Sequence, residues 1–81
     1  MSLDEQAAGH ADAIVKHSDA IRAELLRARS GQLSISEYGE CKRRMVQSLG
    51  SIKAEVLRAM KAGIYAQLES ELRRRNYEVS Q

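Results

Sequence analysis

Two histidines, one cysteine and eleven carboxylates are the side chains that could do chemistry in this chain, and their spacing limits what they can do. His10 and His17 share a helix face but stand about 10.5 Å apart along its axis at 1.5 Å per residue. One metal ion cannot bridge that gap. Helical zinc sites use ligands three or four residues apart with a third close by, and Cys41 has no Cys-x-x-Cys partner. The histidines therefore read as polar residues beside an Ala-rich seam, a pH-sensitive interface being the alternative use of such a residue. A Cys41–His nucleophile and base pair would need a third orienting group and a concave site. Cys41 falls on an apolar stripe, so it reads as a small buried hydrophobe. Glu40 with Arg44, Asp12 with Lys16, Glu69 with Arg73 and Glu71 with Arg75 stand at i,i+4 and read as solvated ion pairs. The expectation is a protein without catalytic residues, cofactor or metal.

Binding remains, and two basic clusters bear on it: Lys42-Arg43-Arg44 and Arg73-Arg74-Arg75, with Lys53, Arg58 and Lys61 between them. Consecutive helical residues point about 100° apart, so each triplet spreads around the cylinder. Glu40, Glu55, Glu69 and Glu71 dilute the field further. Nucleic-acid binding would need a dimer that aligns Lys42, Arg43 and Arg44 from two chains. No Gly-rich phosphate loop, aromatic stacking platform or zinc-finger spacing accompanies them.

The elements that position these residues follow from composition and period. At 81 residues the chain is expected to form one domain, 1–81, and a chain of this size buries only about 60 to 65% of its unfolded surface. Phe and Trp are absent and the single cysteine allows no intrachain disulfide, which leaves self-association as the usual compensation for a thin core. The formal net charge is +2. Residues 1–31 sum to −1, residues 32–61 to +3 and residues 62–81 to zero. No run approaches the ~18 apolar residues that span a bilayer, and no signal segment is recognisable, so a cytoplasmic, membrane-free protein is expected.

Ala7, Ala11, Ile14, Ser18, Ile21, Leu25 and Ala28 recur at alternating spacings of four and three, the stripe of one amphipathic helix over about 3–29. Gly31 suits the left-handed residue after a helix end. Ser34 and Glu37 then form a Ser-x-x-Glu capping box, with Leu33 and Tyr38 spaced as a hydrophobic staple. A bulkier stripe follows at Tyr38, Cys41, Met45, Leu49, Ile52, Val56, Met60, Ile64, Leu68 and Leu72. Gly50 or Gly63 could bend it, and Gly50-Ser51 could separate a third helix, but the stripe passes through both glycines in phase, which favours one long helix over about 35–76, with 77–81 as a frayed tail. The fold class is all-α: an antiparallel helical hairpin, pairing into a four-helix bundle or coiled coil.

Residues 25–46, with Leu25, Leu26, Gly31, Leu33, Ser34, Glu37, Tyr38, Lys42, Met45 and Val46 as the matching positions, resemble the short bacterial helix-turn-helix motif called SHOCT. Gln32 and Ser36 depart from its pattern. SHOCT segments are usually appended to larger proteins and are thought to serve oligomerisation or interaction, so the resemblance implies binding and no enzyme activity.

Folding the hairpin about Gln32 leaves residues beyond about Ala62 without a first-helix partner, an apolar overhang of about 20 Å. The expected function is that of a small bacterial or phage adaptor, inhibitor or assembly protein. It would pair as a homodimer and contact another protein through Ile64, Tyr65, Leu68 and Leu72, with Arg73, Arg74 and Arg75 as a charged rim. The alternative is a small dimeric nucleic-acid-binding regulator using Lys42, Arg43 and Arg44.

Overall fold

The structure is a computed structural model and describes residues 2–75. It contains three helices, α1 (Leu3–Arg29), α2 (Ile35–Lys61) and α3 (Tyr65–Arg74), and no strand among the described residues. The all-α expectation is met. The expected frayed tail, 77–81, lies outside the described residues.

Each long helix opens on a reciprocal cap. Ser34 accepts from the Glu37 N–H while Glu37 accepts from the Ser34 N–H, and Ser2 and Glu5 repeat the arrangement at α1. The second cap has the same Ser-x-x-Glu spacing as the first. Between the helices Gly31 adopts φ 73°, and its N–H donates to the Ala28 carbonyl. This turn sets α1 and α2 side by side.

The long second helix expected over 35–76 is not formed. α2 ends at Lys61, and Gly63 takes φ 74°. The Gly63 N–H donates to the Met60 carbonyl, and the Ile64 N–H reaches back to Ala59 at 2.9 Å. These two bonds are the Schellman arrangement, which satisfies carbonyls left open by a terminating helix. Its usual apolar contact is present too, since Ile64 and Ala59 belong to one buried cluster.

The turn sends α3 back along the hairpin. Ala11 and Ile14 of α1, Ala59 of α2, and Ile64, Leu68 and Leu72 form the core, with Val15, Ile52 and Val56 packed on its edge. Small residues on α1 admit the bulkier α3 side chains, as close packing requires. The apolar overhang therefore does not exist: Ile64 and Leu68 are 0% exposed and Leu72 is 3% exposed within the chain's own fold. The physical reason is burial: three large aliphatic side chains gain several kcal/mol when covered, and one left-handed glycine makes this possible.

One half of the molecule is thus a three-helix bundle and the other a two-helix hairpin. In the hairpin half Cys41 is buried, whereas Leu25, Leu26 and Tyr38 remain exposed. No helix among the described residues is long and apolar enough to cross a membrane.

Candidate functional site

With α3 folded inward, the large apolar surface lies on α2. Ile35, Tyr38, Val46, Leu49, Leu57 and Met60 each keep between 52% and 95% of their surface exposed. Their order has a period. Ile35, Val46 and Leu57 are 11 apart, as are Tyr38, Leu49 and Met60, and Lys42 and Lys53 complete the pattern. Eleven residues make three turns at 3.67 residues per turn, so such a set stays on one nearly straight line. The result is a seam about 38 Å long down the outer side of α2. Cys41, Met45, Ile52, Val56 and Ala59 point elsewhere, into the protein, and are buried or half-buried. The single stripe expected from sequence is in fact two adjacent faces, one inside and one outside.

Gly39 and Gly50 lie beside this seam, again 11 apart. Both are helical and exposed, and a Cβ added to either meets nothing within 4 Å. No packing among the described residues requires them to be glycine, although each costs about 1 kcal/mol relative to Ala inside a helix.

The charges of the seam are one-sided. Lys42 and Lys53 are exposed within it and have no ion-pair partner among the described residues. Glu37, Glu40 and Glu55 project from the opposite side of α2, as their positions in the helical period dictate. Glu40 is held by Arg43 at 2.5 Å, and Glu55 by Arg58 at 2.9 Å and by His10 at 2.6 Å.

The residues expected to contact a partner are used internally. Arg73 pairs with Glu69 at 2.8 Å, and Arg74 bonds Glu71. Arg75 reaches both Glu71 and Asp12 of α1, tying the end of α3 to the first helix. Asp12 thus takes Arg75, where sequence spacing suggested Lys16. Tyr65 is half-buried at the start of α3. Of the first basic cluster, Arg44 turns inward and donates to both carboxylate oxygens of Glu24, at 2.7 and 3.1 Å. Arg43 is occupied by Glu40, so Lys42 alone of the three is unpaired and presented outward.

The Glu24–Arg44 pair joins the two helices of the hairpin half, with the Glu24 side chain only 14% exposed. The Arg44 guanidinium beside it, and then the Cys41 thiol, hold the Glu24 carboxyl down to about 2. The same carboxylate, aided by burial, pushes the Cys41 thiol above its ordinary value, which makes that sulfur a poor nucleophile. Because Glu24 titrates lower when folded than when unfolded, its contribution to stability is complete above the ordinary 4.5 and fades as pH falls from there to about 2. Glu24→Gln is expected to flatten the acid limb of a thermal-melt series in that window. A limb as steep as the wild type's would remove the pair from the acid response.

His10 meets Glu55 across the helices, far from His17, and no group of three or more metal-binding side chains converges among the described residues. Gln67 Oε1 is buried without a partner, but its residue is only half-buried and no second polar group aims at it.

No family model, curated protein or solved structure matches this chain.

Proposed function

We propose that the chain is a small non-enzymatic protein that acts by protein–protein interaction, laying the exposed seam of α2 against a helix of its partner. The observation that carries this reading is the 11-residue repeat of exposed aliphatic and aromatic side chains from Ile35 to Met60. Large apolar side chains exposed along one helix of a small protein mark an interaction site, and regular helical spacing is how helix-in-groove and helix-on-helix recognition is built. The resemblance of residues 25–46 to SHOCT segments points the same way, since it includes Tyr38, Lys42 and Val46 of the seam. The homodimeric bundle expected from sequence drew on an exposed stripe at residues 64–72. With that stripe in the core, the surface for association moves to α2.

The nucleic-acid alternative has less support, because Arg43 and Arg44 are held by Glu40 and Glu24. Phosphate binding needs such groups free to replace counterions.

The test is the double variant Leu49→Asp/Leu57→Asp. Both side chains are more than half exposed, so the variant should remain folded and helical, losing only about 1–2 kcal/mol of stability. Proteins retained from host lysate by the immobilised wild-type chain should be lost by the variant. An unchanged retained set, with folding intact, would remove α2 as the binding surface.

A further inference from the structure

Building on the α2 reading, we infer that the seam's partner is an acidic amphipathic helix: one with apolar residues facing Ile35, Tyr38, Val46, Leu49, Leu57 and Met60, and carboxylates facing Lys42 and Lys53. Two observations select this occupant. The first is charge. The seam carries two unpaired ammonium groups, with exposed Lys61 beside them, while every α2 carboxylate lies on the other side of the helix. A second copy docked through the same face would bring four lysines into one interface without a carboxylate on either seam. Like charges across an interface suppress a wrong partner, and opposite charges fix register and raise the association rate. The lysines are spaced by the same 11 residues as the apolar positions, so one helix with the same repeat satisfies both.

The second observation is the pair of glycines. Gly39 and Gly50 sit at the edge of the seam with open space over them, and small residues at such positions let two helix backbones approach closely. Each weakens the free helix relative to Ala, and no described side chain fills the space over it, which leaves room for another backbone at the edge of the seam. A lipid surface would use the apolar side chains and the lysines, but it gives no role to an 11-residue register of glycines.

The experiment uses the full chain and two synthetic helical peptides of about 25 residues, built on the same 11-residue repeat. Both carry Leu at the two apolar positions; one carries Glu and the other Lys at the third. Binding is read by fluorescence anisotropy at low salt. The Glu peptide should bind at least about tenfold more tightly than the Lys peptide, as two exposed pairs changed from attraction to repulsion allow. Lys42→Glu/Lys53→Glu should reverse the order. Gly39→Gln/Gly50→Gln should raise the unfolding midpoint of the free chain and yet weaken the Glu peptide by about tenfold or more. A variant that melts higher and binds less cannot be explained by misfolding.

Equal binding of the two peptides, or no reversal in the lysine variant, would overturn the acidic partner. If Leu49→Asp/Leu57→Asp still abolished both, the α2 surface would stand and only the partner chemistry would fall. A wild-type chain that is dimeric by light scattering and monomeric as Leu49→Asp would assign the seam to a second copy. Binding to anionic phosphatidylglycerol vesicles that the Glu peptide fails to compete would assign it to a lipid surface. Either result overturns the proposal.

Discussion

Leu68→Ala is expected to lower the stability of the free chain by about 2–5 kcal/mol, the range for deleting a buried leucine side chain down to its Cβ. Leu68 is 0% exposed and lies in a cluster that draws on all three helices. In a domain this small, that loss is a large part of the total stability. Urea unfolding followed by circular dichroism should show the midpoint falling and the whole helical signal leaving in one transition, because α3 covers Ala11 and Ile14 of α1. A projecting α3 would behave otherwise: the variant would unfold at the wild-type midpoint. That outcome would contradict the fold-back of α3.

Gly63→Val is expected to destabilise by about 1–2 kcal/mol or more, since a left-handed backbone is unfavourable for any L residue and most so for a β-branched one. The space beside Gly63 is open, so the penalty comes from φ 74° alone. Gly50→Ala should act in the opposite direction, stabilising by about 1 kcal/mol, because Gly50 lies within a continuous helix. Paired thermal melts of the two variants give changes of opposite sign. Two changes of the same sign would place the chain reversal elsewhere.

That contrast shows how much was legible in the sequence. Gly31 and the Ser34–Glu37 cap are local signals, and the first turn and both helix starts follow from them. Gly50 and Gly63 carry the same intrinsic penalty and both lie in phase with the apolar period, so propensity does not separate them. What separates them is tertiary: α1 leaves Ile64, Leu68 and Leu72 without a covering surface unless the chain reverses. The restart of α3 also lacks a capping side chain, with Ile64 at the N-cap position, so no local residue announces it. Ala59, Gly63 and Ile64 do have the spacing of a Schellman motif, and that is the signal from which the turn could have been read.

The candidate site was legible in part. One helical period fits α2 over its whole length, but its inner and outer apolar faces are adjacent, and a single stripe merges Cys41 and Ile52 with Tyr38, Leu49 and Met60. Spacing alone does not separate them, since Cys41 and Ile52, and Met45 and Val56, are also 11 apart; what marks the outer face in the sequence is that Lys42 and Lys53 fall on it. The pairs His10–Glu55 and Asp12–Arg75 are 45 and 63 residues apart. No spacing rule finds such contacts, because only the packing of α1 against its neighbours brings them together.

The most direct test of the account is thiol labelling of Leu49→Cys and Leu68→Cys in separate chains carrying Cys41→Ala. Leu49→Cys should react at the rate of a free thiol in the folded chain, and Leu68→Cys only as fast as the chain unfolds. Equal, rapid labelling at both positions would mean that α3 is not docked. Protection at Leu49→Cys in the chain on its own would mean that the α2 seam is already covered, and either finding would contradict an exposed seam on a closed three-helix core.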